Sequence, residues 1–135
     1  MTTSASEKSP DPTTPTGEIV IRTIAMPADT NEHGDIFGGW LMSQMDLGGA
    51  VLARNYAKKR VVTVAAQEMA FVAPVVVGDT VTCYARILKT GRTSITIDIE
   101  AWVQCFRTGE HRRVTEGVFT YVAINDDGRP TALER

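Results

Sequence analysis

The residues best suited to chemistry in this sequence fall between Asp29 and Asp46. The run Asp29-Thr30-Asn31-Glu32-His33-Gly34-Asp35-Ile36-Phe37-Gly38-Gly39-Trp40 places polar side chains and two adjacent glycines just ahead of a helical pattern. Gly38 and Gly39 let a ligand approach the backbone closely, and the first N–H groups of a helix have no partner inside it. A helix N-terminus carries roughly half a positive charge, so those donors suit an oxygen that becomes negative during a reaction. A glycine-containing loop that simply starts a helix is the plain alternative. Asp46 adds a second element. Its helical neighbours three and four residues away, Met42, Ser43, Gly49 and Ala50, are small or apolar and do little to solvate a carboxylate. It lies about two turns inside the helix, too deep for an ordinary N-cap. A carboxylate partly withdrawn from water is the usual form of a base that works near neutrality; a structural aspartate is the alternative.

Other candidates carry less. His33 and His111 are far apart and show no paired spacing with cysteine or carboxylate of the kind that binds zinc; they read as a loop and a turn histidine. Cys83 and Cys105 stand inside strand patterns and read as buried hydrophobes. The Gly-x-Ser-x-Gly pattern of a serine nucleophile is absent. Gly91-Arg92-Thr93-Ser94 is a basic turn with hydroxyls, either a plain hairpin turn or a contact for phosphate.

The scaffold for these residues follows from periodicity. Residues 19–24 are β-branched and read as a strand. Residues 27–34 form a loop rich in Asp, Asn and Gly. Leu41, Met45, Gly48, Leu52 and Tyr56 recur at helical intervals, which predicts a helix over 39–57, about five turns long. Lys58-Lys59-Arg60 follow it, where cations suit the negative end of the helix dipole. Strands are predicted over 61–71, 80–88, 94–106 and 113–124, with breaks at Pro74, Gly78-Asp79, Thr90-Gly91-Arg92 and Thr108-Gly109-Glu110. Consecutive strands joined by short turns should pair antiparallel. One helix can cover one face of such a curved sheet, which predicts an α+β layer structure.

The whole sequence, 135 residues with 43% hydrophobic and 22% charged, fits one globular domain and excludes a wholly disordered chain. Residues 1–17 are polar and interrupted by proline; they are expected to be a disordered tail, with a single domain over 18–135. They contain no apolar segment of the secretory kind, and no run approaches the ~20 apolar residues of a membrane span. A net charge of −2 offers no footprint for nucleic acid. Two cysteines form no disulfide framework and fit a reducing, cytoplasmic location.

The stretch Arg22-Thr23-Ile24-Ala25-Met26-Pro27-Ala28-Asp29-Thr30-Asn31, followed by Gly34-Asp35-Ile36-Phe37-Gly38-Gly39-Trp40-Leu41-Met42-Ser43-Gln44-Met45-Asp46, resembles the bacterial YciA-type acyl-CoA thioesterases. The resemblance continues through Arg60-Val61-Val62-Thr63-Val64, Pro74-Val75, Val77-Gly78-Asp79 and Ala101-Trp102-Val103, and leaves the N-terminal tail outside. It implies a hotdog fold, in which an antiparallel sheet wraps a long central helix. It also implies dimers that join their sheets edge to edge, further assembly into trimers of dimers, and active sites at the dimer interface. Asn31 in the loop and Asp46 on the helix are the matching site positions. The implied reaction is hydrolysis of small to medium acyl-CoA thioesters, over a broad range. It needs no metal and no cofactor beyond the coenzyme A carried by the substrate.

Thioester chemistry gives each residue a role. Sulfur donates poorly into the carbonyl, so the carbon is already electrophilic and needs an oxyanion site and a base or nucleophile. Gly38 and Gly39 would polarise the oxygen; Asp46 would activate water or attack to form a mixed anhydride. Asn31 would orient the water or the thioester, and Asp35 would shape the loop from behind. The phosphates of coenzyme A need clustered cations in a slightly acidic chain. Arg92 with Thr93 and Ser94 is the first choice, and Lys58, Lys59 and Arg60 the second. Two other functions compete. A hotdog hydratase or dehydratase usually sets a histidine a few residues after the helix carboxylate, and none occurs between Asp46 and Ala57. A non-catalytic acyl-CoA sensor should carry a DNA-binding segment, which the acidic balance and short polar tail do not supply.

Overall fold

The computed structural model describes residues 14–133, apart from 37, 68 and 72. In chain order the elements are β1 (Glu18–Ile24), a short 3-10 turn (Pro27–Asp29), α1 (Gly38–Ala57), β2 (Arg60–Gln67), β3 (Thr80–Thr90), β4 (Ser94–Gln104) and β5 (His111–Ile124). The five strands form one antiparallel sheet in the order β1-β3-β4-β5-β2. Most of the expected tail, residues 1–13, lies outside the described residues. Residues 14–17 run along the sheet, where the Thr16 hydroxyl donates to Glu100 at 2.8 Å.

Alternation along the strands explains the layer. Val81, Cys83 and Ala85 on β3, Ile95, Ile97 and Ile99 on β4, and Phe119, Tyr121 and Ala123 on β5 are buried in one cluster with Leu41, Met45, Ala53 and Ala57 of α1. The period of two along each strand and the helical stripe on α1 meet face to face. Each fully buried isoleucine is worth roughly 1.5–3 kcal/mol of transfer from water.

Several sequence expectations need correction. Strand β2 ends at Gln67, short of Phe71, and it pairs with β5 at the far side of the sheet instead of with β3. Its link to β3 spans more than a hairpin turn, so chain neighbours need not be sheet neighbours. His111 opens β5 with its ring stacked on Trp102 at 4.7 Å, so it is a strand residue packed on an indole. Cys105 falls just beyond β4 in the following turn, half-buried, and hydrogen bonding around Thr108 lowers the pKa of its thiol. Cys83 is buried as expected, and burial pushes its thiol up to about 12.

The face of β4 away from the helix carries a buried charge cluster. Asp98, Glu100 and Glu116 bring carboxylate oxygens within 4.8 Å of one another. Arg86 lies 3.6 Å from Asp98, Arg113 lies 3.1 Å from Glu116 and 3.9 Å from Glu100, and Trp102 Nε1 donates to Glu100 at 2.8 Å. Protein donors therefore serve Glu100 and Glu116 Oε1, and Asp98 faces the Arg86 guanidinium at ion-pair distance. Burial, and next the hydrogen bond and charge of Glu116, push the Asp98 carboxyl up to about 7 against the pull of Arg86. An unfolded aspartate ionises near pH ~3.9, so between about pH 4 and 7 the folded chain holds the extra proton. Stability is fully present below that window and falls as pH rises through it. Asp98→Asn should flatten this dependence. Thermal melts at pH 5 and pH 8 check it: wild type should lose more melting temperature across the interval than the variant, and equal losses would remove Asp98 as the cause.

Candidate active site

The loop before α1 is organised by Asn31. Its Oδ1 accepts the backbone N–H groups of His33 at 2.9 Å and Asp35 at 3.1 Å. Its own N–H donates to the Asp35 carbonyl at 2.7 Å, and Gly34 N–H donates to the Asn31 carbonyl at 3.0 Å. Gly34 turns the chain at φ 84°, a conformation that favours glycine. Both side-chain bonds of Asn31 fall on its oxygen, and its amide nitrogen donates in neither. Asp35 shapes the loop through its backbone, while its side chain is exposed.

Helix α1 begins at Gly38, one residue earlier than its pattern predicts. Gly38 and Gly39 are both exposed at this end. Beside Gly38 lies a cavity of about 280 Å³ whose walls include Ile36, Leu41, Phe71, Ala73 and Val75, an apolar lining next to the helix N-terminus.

Asp46 is half-buried, about two turns further along α1. The Thr63 hydroxyl donates to its Oδ1 at 2.6 Å. The Tyr121 hydroxyl lies 2.8 Å from the Asp46 backbone carbonyl and 3.1 Å from the same Oδ1. Thr63 on β2 and Tyr121 on β5 are direct partners across the strand pair, so one rung of the sheet presents two hydroxyls to one carboxylate oxygen. Oδ2 takes part in neither bond. Burial, and after it the Asp46 charge, hold the Tyr121 phenol well above its usual pKa, so it remains a proton donor.

Two glycines bring the helix this close. A Cβ on Gly48 would stand 2.7 Å from Val20 Cγ2, and one on Gly49 would overlap the Tyr121 hydroxyl and Ile99. Sequence reasoning missed Thr63, Tyr121 and the role of Gly49. The available signal was the glycine pair itself, since glycine inside a helix costs about 1 kcal/mol against alanine and calls for a packing reason.

The cationic candidates gather at the opposite end of α1. Lys58 takes a left-handed conformation (φ 58°) just past the helix, with its N–H on the Arg54 carbonyl at 2.8 Å, and Arg60 begins β2. Lys58, Lys59 and Arg60 line a cleft of about 430 Å³ with Ile124, Asn125, Asp126 and Thr131. The Arg92 carbonyl accepts Leu133 N–H at 2.8 Å, the Thr93 carbonyl accepts Ala123 N–H at 2.9 Å, and Ser94 opens β4 opposite Val122. The structure thus brings the Gly91–Ser94 turn and the basic run, distant in sequence, to one end of the sheet. The Arg92 side chain itself is exposed.

A long helix seated in a single curved antiparallel sheet, with a half-buried carboxylate facing its edge strand, defines a hotdog-fold protein. Residues 33–105 match the Thioesterase superfamily. The chain is 58% identical over 123 residues to the acyl-CoA thioester hydrolase YciA of Salmonella typhimurium, covering 89% of this chain and 92% of that one. Among solved structures, a hexameric thioesterase from Yersinia pestis is 60% identical with a TM-score of 0.87, covering 90% of this chain and 99% of that one. A hexameric broad-specificity acyl-coenzyme A thioesterase is 51% identical with a TM-score of 0.87, covering 90% and 84%. The chain belongs to the thioesterase superfamily, within its YciA-type branch.

Proposed function

We propose that this chain hydrolyses acyl-CoA thioesters with Asp46 as the base that activates water. The observation that carries the reading is the carboxylate whose Oδ1 is held by Thr63 and Tyr121. Hydrogen bonding to Oδ1 fixes the group and leaves Oδ2 to take the proton. The water oxygen attacks the thioester carbon as its proton passes to Asp46, and the carbonyl oxygen becomes an oxyanion. Backbone N–H groups of Gly38 and Gly39, at the start of α1 in the second copy that shares the site, hold that charge. Collapse breaks the carbon–sulfur bond, and the departing thiolate takes the proton back from Asp46, giving free coenzyme A and the acid. The Asn31 amide nitrogen, free of the loop's own bonds, orients the thioester or the water, and Asp35 supports that loop. The apolar cavity beside Gly38 supports acyl groups of small to medium length over a broad range. Hydrolysis rates over an acyl-CoA chain-length panel, read as free thiol, test this: turnover should extend across several lengths, and no thiol release from any member would overturn it.

The active unit in this reading is a dimer with shared sites, assembled further as a trimer of dimers, a count of six that the hexameric relatives support. Strand β2 is a sheet edge, and Val62, Val64 and Leu47 near Asp46 are exposed at 42%, 56% and 56%. An apolar edge strand of this kind invites pairing, and a second copy covering it would bring its own loop toward Asp46. No described helix is long and apolar enough to cross a membrane. Two free cysteines support a reducing, cytoplasmic setting.

Coenzyme A phosphates meet the cationic end of the sheet, with Arg92 first, aided by Thr93 and Ser94, and Lys58, Lys59 and Arg60 second. Arg92→Ala should raise KM for acyl-CoA and leave kcat nearly unchanged, because the nucleotide is bound equally in ground and transition states. Hydrolysis of an acyl-pantetheine thioester, which lacks the nucleotide, should barely change. Equal losses on both substrates would assign Arg92 to the fold instead.

A further inference from the structure

We infer that Tyr121 is a positioning residue for the reaction, a clasp that fixes the Asp46 carboxylate by holding that residue's backbone and side chain together. The inference rests on the reading of Asp46 as the base. The Tyr121 hydroxyl stands 2.8 Å from the Asp46 carbonyl oxygen and 3.1 Å from its Oδ1. One phenol proton therefore spans both ends of a single residue and restricts rotation between them. The ring is fully buried in the core, stacked with Phe119 at 6.4 Å, so the hydroxyl is delivered from a rigid base. Thr63, by contrast, is exposed and reaches only the side chain.

Gly49 shows that the arrangement is built into the fold. A methyl group at that position would occupy the space of the Tyr121 hydroxyl. The helix therefore keeps a glycine three residues after Asp46, where the oxygen enters between helix and sheet. A hydroxyl serving only the core could bond the carbonyl alone; this one also touches the carboxylate oxygen that Thr63 holds. Its effect is on Oδ2, which it does not touch: with Oδ1 pinned from two strands, Oδ2 keeps one direction toward the water.

Removing the hydroxyl should act on the chemical step and only through Asp46. Tyr121→Phe retains the ring and should lower kcat about tenfold or more, with KM for acyl-CoA changed less than about twofold. In an Asp46→Asn background the same change should cost almost nothing further, because the group it positions has gone. If Tyr121→Phe multiplies the loss of Asp46→Asn, or raises KM as much as it lowers kcat, Tyr121 is structural and the inference falls. If Asp46→Asn alone keeps the wild-type rate, the reading of Asp46 fails first, and the inference with it, which separates the two failures. Should Tyr121→Phe not fold, ultraviolet resonance Raman spectra of an otherwise intact chain carrying Tyr56→Phe and Tyr84→Phe report the hydrogen bonding of Tyr121. The tyrosine doublet should shift when Asp46→Ala is added, because alanine leaves the phenol only the backbone carbonyl as acceptor, and an unchanged doublet would overturn the inference.

Discussion

Mixing inactive Asn31→Ala chains with inactive Asp46→Asn chains should restore activity, to about a quarter of the wild-type rate after full subunit exchange. Half of randomly reassorted two-fold dimers contain one chain of each kind, and each of those rebuilds one intact site of two. Gly38 to Ala57 is a continuous α-helix, and Asp46 stands ~12 Å along it from Gly38 at 1.5 Å per residue. The Asn31 loop is closed upon itself ahead of that helix by four backbone-directed bonds. A loop so fixed cannot fold down over the carboxylate of its own chain, whereas the exposed edge beside Asp46 can receive a loop from a second copy. Thiol release from mixtures, with exchange verified by mass spectrometry, measures the effect. Activity that stays at the level of the parent variants after exchange would refute shared sites.

Much of this architecture is legible in the sequence, for reasons that particular residues make plain. The spacing of Leu41, Met45, Gly48, Leu52 and Tyr56 gives the helix within one residue, because a stripe at helical period has no other use in a folded chain. Ile95, Ile97, Ile99 and Ala101 give β4 and its inner face by strict alternation. The place of β2 is not legible, since periodicity states which face of a strand is buried and not which strand lies beside it. Its partner is set by the long return of β5, where Thr63 meets Tyr121. The same limit hides half of the candidate site. Asp46 and the loop declare themselves through odd composition, but Thr63 reads as one β-branched residue among valines and Tyr121 as one aromatic in an alternating strand. Only their long-range pairing turns both hydroxyls toward one oxygen. The buried charges Asp98, Glu100 and Glu116 are hidden likewise, because alternation marks the polar face of β4 without saying that arginines and the 14–17 segment cover it.

Asp46 is the residue on which the proposed chemistry depends. Asparagine keeps the volume of aspartate and can still accept the Thr63 and Tyr121 hydroxyls through its carbonyl oxygen, so Asp46→Asn should preserve the fold and the oligomer. It removes the ability to take a proton from water at neutral pH, and a lost general base costs roughly two to four orders of magnitude in rate. The Gly38 and Gly39 donors and the binding of coenzyme A remain, so KM should change little while kcat falls. The decisive measurement is the steady-state rate of free thiol release from an acyl-CoA by wild-type and Asp46→Asn chains, matched for oligomeric state and melting temperature. A loss of a hundredfold or more in kcat is the predicted result, and a variant that retains more than about a tenth of the wild-type rate would contradict the account.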